Sequence, residues 1–496
     1  MKYVSTRSSA GKVDAAQAIV AGLAPDGGLY VPESFPAFAL GRVKDMAEQP
    51  YPDRAREVMG AYLTDFSEAE LRACARQAYA PERFGDCPAP LKAVGDLHVL
   101  ELWHGPTHAF KDMALQMLPR LMPLAMKKTG VDKQVFILVA TSGDTGKAAL
   151  EGFCGVEGTQ VGVFYPVDGV SPAQKLQMIT QEGENTHVCA VKGNFDDAQT
   201  GVKRIFGDEA FARELAEKGV ELSSANSINW GRLVPQVAYY FSAYADLLAE
   251  GRVRAGEPVN FCVPTGNFGN ILAGYYAKRM GLPVGRLICA SNRNNILFDF
   301  IQGGLYDTDR PFHKTSSPSM DILVSSNLER LLFELCGRKD QTVRQWMAAL
   351  KSEGAYRVDE ATLAALQADF SAGWADEARA AAAIGACFAE HGYTLDPHTA
   401  VAYAVAKAYR ASTGDDTPLV VVSTASPYKF SRDVLAALRG PEAVDGLDEF
   451  ACADALEAAS GLPMPESLKC LREKPLLHRR ECAPEGMRAV VEAWAG

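Results

Sequence analysis

The 496-residue chain contains no apolar run long enough to span a bilayer as a helix, which argues against an integral helical membrane protein. Its 11 cysteines are scattered and form no Cys-x-x-Cys pair. That pattern argues against a disulfide framework or a thiolate metal cluster and for reduced thiols. Among the eight histidines only His104 and His108 stand four apart. Gly105 and Pro106 between them oppose the helix that would align the two rings, so no metal site is expected. Positive charge is also short: 50 Lys and Arg face 61 Asp and Glu, for a net charge of −11. Partners that are nucleic acids or anionic membranes are therefore not expected. There is no internal repeat and no low-complexity linker. The stretch Met1-Lys2-Tyr3-Val4-Ser5-Thr6-Arg7 lacks the apolar centre of a signal peptide, and a cytoplasmic location is expected.

What remains is an ordinary globular composition, 48% hydrophobic and 22% charged, on a chain long enough for two or more domains. Residues 1–95 read as mixed and mainly helical, with a Ser-x-x-Glu capping box at Ser67 and Glu70. Beyond them the rhythm changes. Val135 to Ala140 is a continuous apolar run, as in a doubly covered strand; Val161 to Tyr165 reads as a second strand and His187 to Val191 as a third, with helical patterns between. Such alternation predicts parallel strands covered by helices on both faces. A long helix is expected from Asn229 to about Glu250, with Tyr239, Tyr240, Phe241 and Tyr244 as core. Buried strands are expected near Val259 and at Leu419 to Ser423, with Cys262 and Cys289 as core packing.

Four segments offer chemistry. Lys111 follows the turn His104-Gly105-Pro106-Thr107-His108 and the apolar Phe110. Such surroundings can free an amine for covalent work, although most lysines are solvated surface groups. Val263 to Ile271 joins an apolar strand to a helix through Gly266, Asn267, Phe268, Gly269 and Asn270. A glycine-rich helix N-terminus suits a phosphate, and a plain glycine turn is the alternative. Thr141, Ser142, Gly143, Asp144 and Thr145, followed by Gly146 and Lys147, form a similar junction. They suit a carboxylate, or they simply cap the helix. A Walker A loop is excluded because Thr141 stands where that motif needs glycine. Finally, Val422 to Phe430 leaves a strand at the end where ligands of open α/β sheets gather. Thr424 there offers a hydroxyl, or ends the strand as an ordinary turn.

Taken together these segments resemble the threonine synthase family of fold type II pyridoxal phosphate enzymes. The resemblance extends to Tyr3 to Arg7, Gly22 to Pro32, Asn226 to Arg232 and Ser317 to Ile322. It implies two open parallel-sheet α/β domains with an N-terminal region and helical additions. The expected division is an N-terminal region over 1–95, a large cofactor domain over 96–125, 205–334 and 393–440, and a small domain over 126–204. A helical insertion over 335–392, outside the catalytic sheet, and a peripheral helical C-terminal extension over 441–496 complete it.

By the same resemblance the cofactor is pyridoxal 5'-phosphate, joined covalently to Lys111. Gly266, Asn267, Phe268, Gly269 and Asn270 match the cofactor phosphate loop, and Thr424 matches the hydroxyl facing the pyridine nitrogen. Thr141 to Thr145 match the loop near the substrate carboxylate, and Asn229 and Arg232 fall in a motif lining the site. Lys147 and Arg232 are candidates for the substrate phosphate, with surface ion pairing as their alternative. The chain departs from the family's pattern at Asn270 and Ser426, where many relatives carry Asp and His. The implied reaction turns O-phospho-L-homoserine and water into L-threonine and phosphate. A threonine synthase-like phospho-lyase, a serine/threonine dehydratase and a non-catalytic cofactor-binding scaffold are the alternatives. A monomer or homodimer is expected.

Overall fold

Apolar strand residues alternate between two helical layers, and this alternation builds the protein. The computed structural model describes residues 1–141, 143–167 and 170–496. A six-stranded sheet runs in the order Phe370–Trp374, Val284–Ser291, Val259–Pro264, Leu419–Ser423, Leu97–Glu101, Leu91–Val94. All neighbours are parallel except the last pair. A five-stranded parallel sheet runs in the order Arg480–Cys482, Thr186–Val191, Thr159–Pro166, Gln134–Ala140, Val220–Ser223.

In the larger sheet Phe261, Val263, Val420 and Val422 face one core, and Cys262, Leu419 and Val421 the other. In the smaller sheet Val135, Ile137 and Val139 join that first core, and Phe136, Leu138 and Ala140 enter a third. Successive side chains on a strand point to opposite faces, so continuous apolar runs are what a doubly covered sheet requires. One hydrophobic core is thus shared by both sheets. The helix Trp230–Ala249 runs through this shared core, with Tyr239, Tyr240, Phe241 and Tyr244 fully buried. Cys262 and Cys289 are buried in apolar cores, and the Ser67–Glu70 capping box is formed. No helix among the described residues is long and apolar enough to cross a membrane.

Three expected boundaries differ from the structure, each because a short strand pairs far from its neighbours in sequence. Within 335–392 the strand Phe370–Trp374 pairs with Val284–Ser291 and edges the large sheet. The C-terminal segment is not merely peripheral: Arg480–Cys482 pairs with Thr186–Val191. Behind that pair Trp494 stacks on His187, 5.3 Å between ring centres. The small sheet also extends past residue 204, since Val220–Ser223 pairs with Gln134–Ala140. Strands of three to five residues carry too little periodicity to be recognised alone.

Candidate active site

The C-terminal ends of three central strands open onto one cavity. Gln134–Ala140 delivers Thr141, Val259–Pro264 delivers the glycine loop, and Leu419–Ser423 delivers Thr424. Lys111, Thr141, Asp144, Thr145, Arg232, Gly266, Asn267, Phe268, Gly269, Asn270 and Thr424 all lie on its wall. Crevices at this end of parallel strands are where open α/β sheets bind ligands.

Lys111 ends the turn that sequence reading singled out. Thr107 donates from its backbone N–H and its hydroxyl to Asp112, at 2.8 and 2.7 Å, which closes that turn. His108 adopts a left-handed φ of 59°, and Phe110 N–H donates to the Thr424 carbonyl at 2.8 Å. The Lys111 ammonium lies 3.7 Å from Asp144 Oδ2 and donates to Ser319 Oγ at 3.3 Å. Burial lowers its pKa to about 8, with Asp144 opposing that shift and Arg232 and Lys429 adding to it. Burial alone would raise the Asp144 carboxyl. Lys429 and Lys111 beside it instead hold it below the usual carboxylate range. The amine is therefore free above about pH 8, whereas an ordinary lysine is free only above about 10.4. Acylation of Lys111 in cofactor-free protein, followed by peptide mass spectrometry across pH, is expected to show its midpoint near 8. A midpoint near 10 would contradict this environment.

The glycine loop ends on Phe268, with φ 65°, at the N-terminus of the helix Gly269–Arg279. His108 and Phe268 are two of the three non-glycine residues with positive φ among those described, so backbone strain gathers at this site. Gly266 must be glycine: a Cβ there would lie 2.5 Å from the Ser319 carbonyl oxygen. Tyr239 and Tyr240 donate to Asn270 Oδ1 at 2.7 and 2.9 Å. Asn270 Nδ2 is left buried without an acceptor among the described residues. Arg232 is in the same condition: one Nη donates to the Ala225 carbonyl at 2.9 Å, while Nε is buried and unpaired. Burial lowers its pKa to about 10, which leaves it cationic at neutral pH. Buried donors without partners are costly, and the residues that carry these two line the cavity.

Three of the expected residues are not on the cavity wall, and Ser142 lies outside the described residues. Lys147 pairs with Glu151 at 2.9 Å and also donates to Gln181, neither of which lines the cavity. Asn229 is a structural cap: its Oδ1 accepts from Gly231 N–H, and its Nδ2 donates to the Ile19 and Ser224 carbonyls. Gly143, with φ 138°, starts the helix Asp144–Phe153, and a Cβ there would strike Gln174.

No role follows from the sequence alone for Lys429, Ser319, His398 or Lys203. Lys429 is fully buried, 2.6 Å from Asp144 Oδ1, and donates to the Thr107 carbonyl at 3.0 Å. Its one local signal is a lysine between Tyr428 and Phe430 directly after a buried strand. Lys203 stands at the cavity wall with Phe195 and Gln199, where Lys147 does not.

Comparison with known proteins places this geometry among relatives. Family models described as "Threonine synthase N terminus", "Pyridoxal-phosphate dependent enzyme" and "Threonine synthase, C-terminal" match residues 2–79, 86–373 and 399–480. The chain is 42% identical to human "Threonine synthase-like 1", over 85% of this chain and 58% of that protein. It thus spans somewhat over half the length of that relative. It is 42% identical to the threonine synthase of Pseudomonas aeruginosa, over 88% of this chain and 90% of the relative. Among solved structures it is similar to a PLP-bound threonine synthase from Brucella melitensis, with TM-score 0.86 and 39% identity, covering 100% and 98% of the two chains. The yeast threonine synthase structure gives TM-score 0.88 at 34% identity, covering 99% and 98%.

Proposed function

The chain belongs to the threonine synthase family of pyridoxal-phosphate-dependent enzymes, and on that premise we propose that it converts O-phospho-L-homoserine and water to L-threonine and phosphate. The observation that carries the reading is the pair of unsatisfied buried donors, Asn270 Nδ2 and Arg232 Nε, around a cavity that also holds a depressed lysine. The reaction needs sites for two phosphates, one on the cofactor and one on the substrate. Two groups short of hydrogen-bond acceptors on the wall of one cavity support that need.

The residues present suit pyridoxal 5'-phosphate. The N-terminus of Gly269–Arg279 with Asn270 Nδ2 would hold its phosphate, since helix N-termini present free N–H groups and a positive dipole end. Thr424 would face the ring nitrogen. Its neutral hydroxyl imposes no proton there, unlike an aspartate. When bound, the cofactor supplies an electron sink for negative charge developing at the substrate Cα. Lys111, with its pKa near 8, is suited to take the Cα proton and to move protons in the later steps. Thr141 and Thr145, at the start of Asp144–Phe153, would orient the substrate carboxylate toward a second helix N-terminus. Arg232 would hold the departing phosphate.

Incubating holoenzyme with O-phospho-L-homoserine is expected to release threonine and phosphate in equal amounts. Phosphate with 2-oxobutyrate would support a phospho-lyase instead, and no turnover would support a scaffold. Arg232→Met is expected to raise KM for the phosphorylated substrate by about 30-fold or more, because a buried charged donor is lost, with kcat changing less. An unchanged KM would remove Arg232 from the phosphate site.

A further inference from the structure

Behind the reactive lysine lies a buried polar chain that no motif announced. Asp396, His398, Thr399 and Ser423 are each at most 2% exposed. Asp396 caps the helix Pro397–Thr413, and its Oδ1 accepts from His398 Nδ1 at 2.9 Å. The opposite ring nitrogen, Nε2, accepts from the backbone N–H of Ser319 at 3.2 Å. Since Nε2 accepts, the ring hydrogen sits on Nδ1, and Asp396 holds that tautomer. Asp396 is itself held: Thr399 Oγ1 donates to its Oδ2 and contacts Ser423 Oγ at 3.0 Å, which Trp103 also reaches at 3.0 Å.

Ser319 is the far end of this chain, and it stands at the chemistry. Its Oγ accepts from Lys111 at 3.3 Å and donates to Asp144 Oδ2 at 3.3 Å. Its carbonyl lies hard against Gly266 of the phosphate loop. The rest of its loop is anchored separately: Asp321 accepts from Thr315 N–H at 2.9 Å and from Asn292 and Asn294 side chains at 2.8 and 2.9 Å. The bond that His398 accepts is thus one anchor among several, and it is the one made by Ser319 itself.

We propose that Ser319 touches Lys111 as a catalytic residue and that the Asp396–His398 pair is a positioning device that places it there. This rests on the reading of Lys111 as the reactive amine. The device orders three contacts at once: the lysine, its counter-ion Asp144, and the closest backbone approach to the phosphate loop.

The test uses Ser319→Ala, His398→Asn and His398→Gln. Asparagine keeps a donor for Asp396 but is too short to reach Ser319, whereas glutamine can still offer Ser319 an acceptor. The first measurement is the pH midpoint of Lys111 acylation in cofactor-free protein, which needs neither substrate nor turnover. Asp144, Arg232 and Lys429 are the charged groups that face the amine. Ser319→Ala and His398→Asn are expected to move the midpoint in the same direction, and His398→Gln to return it toward the wild-type value. The second measurement is holoenzyme kinetics, where the first two variants should lose about 10- to 100-fold in kcat, as small misplacements at a reacting centre do. Their KM should change less. An unmoved midpoint in Ser319→Ala overturns the proposal. So does His398→Gln behaving as His398→Asn, or a change in KM alone. Should His398→Asn fail to fold, Ser319→Ala still decides the part played by the serine, and His398→Gln, with its midpoint at or away from the wild-type value, decides the part played by the pair. If instead wild-type protein turns over no phosphohomoserine, the reaction assignment fails while the midpoint data still judge the device.

Discussion

Lys111→Ala should remove the visible absorbance band of bound cofactor and lower turnover by at least about 10³-fold, the range associated with losing covalent attachment and a proton-transfer group together. The structure supplies the reason that no neighbour can substitute. Lys429, the other amine beside Asp144, is wholly buried and committed to Asp144 and the Thr107 carbonyl, and Lys203 on the cavity wall is not among the charges that act on Asp144 or Lys111. Arg232 stays protonated near neutral pH and cannot act as a base. The variant should nevertheless fold. Removing Lys111 leaves Asp144 still paired with Lys429 at 2.6 Å and with Gln174 at 2.9 Å, so no buried carboxylate is stranded. Circular dichroism and a urea midpoint close to wild type would confirm that the lost activity is chemical. Retention of both the absorbance band and turnover in purified variant would remove Lys111 from its role.

Lys429→Met is expected to have the largest effect on stability. The ion pair it breaks is dry, with side-chain exposures of 0% for Lys429 and 3% for Asp144. Removing one partner of such a pair typically costs about 3–5 kcal/mol, because the remaining charge stays buried. The Thr107 carbonyl also loses a donor, and Thr107 closes the turn that carries Lys111. A second consequence follows at the amine. With Lys429 gone, one neighbouring cation is lost and Asp144 has Lys111 as its nearest cationic partner, so the acylation midpoint should rise above 8. Urea unfolding checks the first effect and peptide mass spectrometry the second. A stability change within about 0.5 kcal/mol, the range of ordinary surface substitutions, would show that the pair is not the dry contact described.

Much of the site was legible because local sequence encodes local backbone. A strand, a glycine turn and a helix start are neighbours in the chain, so the loop Gly266 to Asn270 and the loop after Ala140 are recognisable from composition and order. Lys111 is legible for the same reason, lying just after a Gly-Pro turn. The expected roles of Lys147 and Asn229 show where this logic stops. Both lie in the right motifs, but a side chain's direction depends on helix phase and on partners such as Glu151 and Ile19, which arrive from elsewhere.

The alternation of apolar runs with helical patterns was enough for parallel sheets, doubly covered, and pointed to the strand ends where the cavity lies. That information is short-range and repeats along the chain. The contacts of Ser319 with Lys111, of His398 with Ser319 and of Lys429 with Asp144 span 208, 79 and 285 residues. The pairing of Phe370–Trp374 and Arg480–Cys482 with distant strands is of the same kind. Each depends on which surfaces meet once the shared core has closed. A hydroxyl or an amine carries no mark in the sequence of the partner that packing will bring to it.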